Sequence, residues 1–182
     1  MKKIVACLLL LSSSLPVLAD EGGYLGVSMG SGKPGVTPAL LTMSTTSSFI
    51  YGGVAGYQYN KNLAVQVQYG GLGKATDVAG NTSKIDALSM TAVGLLPLNN
   101  HFDLTAKIGI ANAKTVTSGA TATNLGTTRT GLTYGIGAQY NINKSMALRL
   151  ELDRYAVATS NAAGVKTKGN ATVINLDALY KF

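Results

Sequence analysis

The stretch Met146-Ala147-Leu148-Arg149-Leu150-Glu151-Leu152-Asp153 decides how this chain is read. Coiled as a helix, it would scatter its leucines and its charges around the cylinder. Extended as a strand, it alternates cleanly, with Met146, Leu148, Leu150 and Leu152 on one face and Arg149, Glu151 and Asp153 on the other. Phe102-Asp103-Leu104-Thr105-Ala106-Lys107-Ile108-Gly109-Ile110 repeats the pattern, with Asp103, Thr105 and Lys107 sharing the polar face.

Working outward with the same period of two gives eight strands, over 23–30, 49–59, 63–72, 84–96, 102–112, 129–141, 146–157 and 170–182. Most are near the roughly 9–11 residues that a tilted strand needs to cross a bilayer. The fourth is the least regular. Around Asp86 to Thr91 either face could point outward, so a bulge or a misplaced strand boundary is expected there. The connections alternate in length. Residues 31–48, 73–83, 113–128 and 158–169 are long and rich in Gly, Ser, Thr, Ala and Asn. Asn60-Lys61-Asn62, Pro97 to His101 and Asn141 to Ser145 are short turn-formers. Long connections on one side and short ones on the other are the pattern of an outer-membrane barrel.

Composition agrees. The chain has 182 residues, 46% hydrophobic and 13% charged, with 22 glycines and no tryptophan. Ordinary soluble domains carry roughly 25% charge. The chain is neither low in complexity nor strongly charged, so it is not disordered by composition. No run reaches the roughly 18 apolar residues of a spanning helix. In hydrocarbon, backbone N–H and C=O groups find no partner, so a sheet placed there must close on itself. The expected fold is an all-β, eight-stranded antiparallel transmembrane β-barrel of up-and-down topology, with long outer loops and short periplasmic turns. A soluble sandwich or lipocalin-like barrel would turn the same leucines inward. Aromatic placement argues against it. Tyr57, Tyr59, Phe102, Tyr140, Tyr180 and Phe182 gather near the periplasmic strand ends, and Phe49, Tyr51 and Tyr69 near the outer ones, as interfacial girdles do. Tyr134 falls mid-strand, outside either girdle.

Residues 1–19 read as a secretory signal: Lys2 and Lys3, the apolar run Ile4 to Leu11, polar Ser12 to Ser14, then Val17-Leu18-Ala19 before Asp20. The two domains expected are therefore a signal peptide, 1–19, and a barrel, 20–182. Cys7 lies within the signal, and Ile4-Val5-Ala6-Cys7 loosely resembles a lipoprotein box, but cleavage there would leave almost no apolar region. The mature chain then has no cysteine for a disulfide or thiolate site. Loss of Lys2 and Lys3 lowers the formal charge of +7 by two, to +5.

The last strand, Asn175-Leu176-Asp177-Ala178-Leu179-Tyr180-Lys181-Phe182, ends on an aromatic with another two residues earlier. This resembles the C-terminal signal of bacterial outer-membrane barrels. Gly22-Gly23-Tyr24-Leu25-Gly26-Val27-Ser28 is similar to the opening strand of the same group. The chain from residue 20 onward thus resembles the small eight-stranded outer-membrane barrels of the OmpA/OmpX type. That resemblance implies that the outer-membrane assembly machinery reads Tyr180 and Phe182. With the chain ending on the barrel, the peptidoglycan-binding domain of full OmpA is expected to be absent, and its function is not carried over.

An eight-stranded barrel is just wide enough to be filled by side chains. Gln66, Gln68, Asp103, Lys107, Gln139, Arg149, Glu151, Asn175 and Asp177 are expected to point inward. If the last two strands pair symmetrically about residue 163, Arg149 lies opposite Asp177 and Glu151 opposite Asn175. Buried charges need such partners, so a polar lumen network is expected of Lys107, Arg149, Glu151 and Asp177, with Asp103. Gly131, Gly135 and Gly137, with Gly52 and Gly56, would leave room for long Arg and Lys side chains.

The upper strand ends and outer connections carry Lys33, Lys74, Lys84, Lys114, Arg129, Arg154, Lys166 and Lys168 against few acids. Of these, Lys33, Lys74, Lys114, Lys166 and Lys168 are the expected contacts for lipopolysaccharide or another polyanion, at roughly 1 kcal/mol per base near an anionic surface. A host or cell-surface ligand could meet the same loops. Scattered bases without aromatic platforms do not suggest nucleic acid. Gly26-Val27-Ser28-Met29-Gly30 matches a nucleophile elbow by letter, but no helix follows it. The lone histidine, His101, lies at the periplasmic end. Lipid A acyl-chain enzymes among small barrels use a His near the outer leaflet. No catalytic residue, metal site or cofactor is therefore expected. The function expected is a monomeric structural or surface-interaction role, with a small or gated porin-like channel as the alternative and a lipid A-modifying enzyme behind it.

Overall fold

In the computed structural model the residues described are 22–35, 48–76, 82–118, 125–160 and 166–182. The segment read as a signal, residues 1–19, lies outside them. The strands are β1 (Gly22–Gly35), β2 (Ser48–Asn60), β3 (Leu63–Thr76), β4 (Thr82–Pro97), β5 (Phe102–Ser118), β6 (Leu125–Asn141), β7 (Met146–Ser160) and β8 (Lys166–Lys181). Each pairs antiparallel with its chain neighbour, and β8 returns to β1, closing the barrel.

The aliphatic faces point outward. Val27, Ile108, Ile136, Leu150 and Ile174 are exposed, while Arg149, Glu151 and Asp177 are buried. A soluble fold would do the reverse, so the leucine face of 146–153 meets acyl chains.

Strand ends differ from the sequence expectation. Residues 31–35, 73–76, 82–83, 113–118, 125–128, 158–160 and 166–169 were expected in loops and lie in the ladder. The reason is that hydrocarbon ends before the hydrogen bonds do. In β5, Ala113 and Thr115 remain buried while Asn112 and Lys114 face out. Above the acyl layer the outer face is polar, so apolar alternation stops while the strand continues. The bulge expected in β4 is absent: burial alternates regularly through Asp86–Thr91. The irregularity sits opposite, in β3, where the register with β4 shifts between Gly71 and Gly73.

The register also explains Tyr134. A rung leaving β1 at Lys33 passes Thr172, Arg154, Tyr134, Ile108, Ala92, Val65 and Tyr57, and returns to β1 at Gly23, ten residues lower. Ten residues at roughly 3.3 Å against eight strands at roughly 4.8 Å gives a tilt of about 40°. Between Tyr134 and Val65, three strands apart, the rung descends nearly four residues. Tyr134 therefore sits level with Tyr69, and it belongs to the outer girdle. At the other end Phe102 stacks against Tyr140 (4.9 Å between centroids) and Tyr57 against Tyr59 (5.1 Å).

Candidate functional site: a buried polar layer and an outward basic collar

Inward-facing side chains form three layers. Toward the outer end lies an apolar cluster that includes Ile50, Leu72, Ile85, Tyr155, Val157 and Val173. Toward the periplasmic end lies another, of Tyr24, Val54, Ala64, Val93, Leu95, Ala147 and Leu179. Neither cluster was anticipated from the sequence. Alanines and valines on a strand carry no mark of which face they serve.

Between the clusters lie the ionised groups. Lys107 on β5 places Nζ 2.6 Å from Glu151 Oε2 and 2.8 Å from Asp153 Oδ2, both on β7. It also donates to Gln68 Oε1 at 3.2 Å. Three donors on one ammonium thus meet three acceptors. Asp153, not among the network residues expected, is one of them, and Asn175 donates to its Oδ2 at 3.2 Å.

The register pairs Arg149 with Asp177 and Glu151 with Asn175. The guanidinium nevertheless turns to amides. Nε and Nη2 donate to Gln139 Oε1 at 2.9 and 2.7 Å, and Nη1 donates to Gln66 Oε1 at 2.8 Å. Glu151 Oε1 stands 3.7 Å from Nη1. Tyr24 lies beneath, with its ring centroid 5.6 Å from Cζ. Its hydroxyl also donates to Gln66 Oε1, at 3.0 Å. Asp177 is fully buried, between Ser28 and Arg149 in the register and beside the Glu151 carboxylate. The layer therefore holds three carboxylates, Glu151, Asp153 and Asp177, against two cations.

Asp103 joins from the periplasmic side through Gln139, whose Nε2 donates to Asp103 Oδ2 at 3.1 Å. Asn141 donates to the same oxygen at 2.7 Å. Below it the mouth opens as a vestibule of about 680 Å³ with Asp103, Asn141, Lys144 and Lys181 among its lining. Above the polar layer, the pocket between Ser28, Gln68, Tyr155 and Asn175 has a water-accessible volume of about 10 Å³. A single water needs roughly 10–15 Å³.

Two of the glycines make room for different side chains than expected. A Cβ on Gly135 would overlap Asp153 Oδ1, and one on Gly56 would overlap the Tyr24 ring. The space serves a carboxylate and a phenol rather than Arg or Lys.

The outer bases divide by face. Lys33, Lys74, Lys84, Lys114, Arg154 and Lys168 face outward and are exposed. Of Lys166 only the strand position is described. Arg129 faces inward, and its Nη1 donates to Val157 O at 2.7 Å and Gly169 O at 3.0 Å. It braces the upper ends of β7 and β8 rather than joining the collar. Lys74 and Lys84 are register partners, as are Asp86 and Lys114. Lys33 and Arg154 each stand beside Thr172 from opposite sides.

Ser28, of the nucleophile-elbow match, is buried mid-strand and accepts from Gln68 Nε2 at 3.4 Å. His101 lies in the periplasmic turn, with its Nδ1 3.2 Å from Asn141 O. At the chain's end, Phe182 N donates to Gly23 O at 3.0 Å, across the β1–β8 seam. The Phe182 ring lies where a Cβ on Gly23 would project, at 2.8 Å.

Three solved barrels share this fold at low identity. Neisserial surface protein A aligns with a TM-score of 0.71 at 13% identity, over 88% of this chain and 97% of that one. OprG from Pseudomonas aeruginosa aligns at 0.66 and 12%, over 90% and 97%. Ail from Yersinia pestis aligns at 0.54 and 17%, over 88% and 99%. No curated protein sequence matches significantly. Residues 5–182 match the family described as outer membrane protein beta-barrel domain. A closed eight-stranded barrel with its aliphatic faces outward and this match over nearly its whole length belongs to the outer-membrane β-barrel family.

Proposed function

We propose that this protein is a surface-interaction barrel: a filled, non-conducting membrane anchor that presents its outer loops and basic collar to lipopolysaccharide and to polyanionic surface ligands. The observation that carries the reading is the lumen itself. A continuous pore needs a wet path, yet above the polar layer the lumen is filled by the outer apolar cluster, and the pocket between them has a water-accessible volume of about 10 Å³, room for about one water. Buried ion pairs here fix register and fill volume. The neighbour Ail has been solved in complex with the heparin analogue sucrose octasulfate, and that compound is a convenient probe for the collar and loops.

Two measurements test this. In planar bilayers the refolded protein is expected to show no steady conductance. Regular steps abolished by Arg149→Ala would instead establish the channel alternative. Salt-sensitive binding of lipopolysaccharide or sucrose octasulfate is expected at low ionic strength, and absence of both would overturn the surface role. The reading includes no enzymatic step, so lipid A from cells with and without the protein is expected to give the same mass spectrum. Residues 1–19 act in this scheme as the export signal, predicting a mature N-terminus at Asp20. Tyr180 and Phe182 act as the segment recognised during assembly.

A further inference from the structure

Lys74 owes its direction to one extra residue. Along lower β3 the even-numbered side chains face the lumen, and Ala64, Gln66 and Gln68 are buried. Gly71 pairs with Asp86, but the next pair is Gly73 with Ile85, so Leu72 is the inserted residue. Leu72 turns into the outer apolar cluster. Gly73 takes φ 116°, a conformation that glycine adopts without a steric penalty. Such a bulge re-aims the side chains beyond it. A regular strand would aim Lys74 into the apolar top of the lumen; the bulge aims it outward. Ser48 pins the new register: its Oγ accepts from Lys74 N at 3.1 Å and donates to Lys74 O at 3.4 Å.

The bulge sets Lys74 directly opposite Lys84. Like charges in that relation are destabilising by themselves. Lys114 faces out from the next strand, opposite Asp86, and Asp86 Oδ2 stands 3.5 Å from Lys84 Nζ. Three lysines and one carboxylate thus lie together on a single outward wall, just above the outer aromatic girdle. We propose that Lys74, Lys84 and Lys114 form a binding site for a phosphate of an outer-leaflet glycolipid, held against the barrel wall. The excess of two positive charges matches a phosphate monoester, which carries roughly −1.5 to −2 at neutral pH. The anion relieves the Lys74–Lys84 repulsion, and Asp86 holds Lys84 toward it. Lys33 and Lys168 face outward on β1 and β8, away from this wall.

This inference rests on the lipopolysaccharide-contact reading above, and the experiment separates the two. The full-length processed protein, folded in detergent, is titrated with bisphosphorylated lipid A and with the same lipid after dephosphorylation, and bound lipid is counted by native mass spectrometry. Lys74→Gln with Lys84→Gln is expected to weaken bisphosphorylated lipid A by roughly tenfold or more and to leave the dephosphorylated lipid unchanged. Lys33→Gln with Lys168→Gln is expected to weaken it less. If the second pair weakens binding and the first does not, the site is wrong and the surface reading stands. If neither pair matters, or both lipids bind equally, both fall. If inorganic phosphate in excess displaces the lipid completely, the site takes free phosphate and the commitment to a lipid is overturned.

Discussion

Lys107 and Lys74 are the same residue type on two strands of one sheet, and they live in opposite solvents. Lys107 points into the barrel, and two carboxylates hold its ammonium within 2.8 Å. Lys74 points out of it, set by a bulged neighbour and faced by another lysine. The inner position is dictated by partners that must be there, because hydrocarbon and protein offer no other solvation. The outer one is dictated by backbone parity, since water and headgroups can solvate the charge. Mutations at the two places should therefore differ in kind.

The largest effect is expected from Lys107→Met, which leaves Glu151 and Asp153 buried without their cation. Breaking one side of a buried pair costs about 3–5 kcal/mol. The variant should lose β-sheet circular dichroism at markedly lower urea than the parent, and an unchanged midpoint would show that the layer is not an ion-pair lock. Gly135→Val comes next, since its side chain would displace the Asp153 carboxylate; overpacking of this kind costs about 1–3 kcal/mol. Midpoints equal to the parent's would mean the layer can shift aside. Asp177→Asn should sharpen the comparison in the other direction. It removes the odd carboxylate of the layer, so stability should hold or rise by about 1 kcal/mol. A fall of the same size would mean that Asp177 carries a bond to a neighbour that the amide cannot make. The smallest effect is expected outside: Lys33→Gln should leave the urea midpoint within about 0.5 kcal/mol, as surface changes usually do. A large loss there would mean the collar is structural.

Legibility followed side-chain contrast. Where charged and aliphatic residues alternate, as in 146–153, both the inward face and the pairing of Arg149 with Asp177 could be read. Register, however, does not choose rotamers. The guanidinium found the Gln139 and Gln66 carbonyls instead, and no spacing in the sequence marks that choice. Asp153 shares the alternating face of Arg149 and Glu151, so its inward direction is legible, but its place as a partner of Lys107 is not. The bulge could not be found, because Gly70-Gly71-Leu72-Gly73 has almost no side chains to reveal parity, and the irregularity was assigned to the partner strand. The glycine-rich inner face was recognised as space, but its occupants, Asp153 and Tyr24, depend on the barrel's tilt. Tyr134 was misplaced for the same reason: height along a tilted barrel is not position along a strand.

The seam between β1 and β8 has a kinetic consequence. Every other strand pair joins chain neighbours across a turn or loop, and such hairpins form quickly. Tyr24 and Lys181, by contrast, are register partners separated by nearly the whole barrel sequence. Bringing such distant points together carries a loop-closure penalty of roughly 4–5 kcal/mol, and non-local pairing slows folding. The molecule is thus seven inexpensive zippers and one slow clasp, and the clasp sets the time needed to become a barrel.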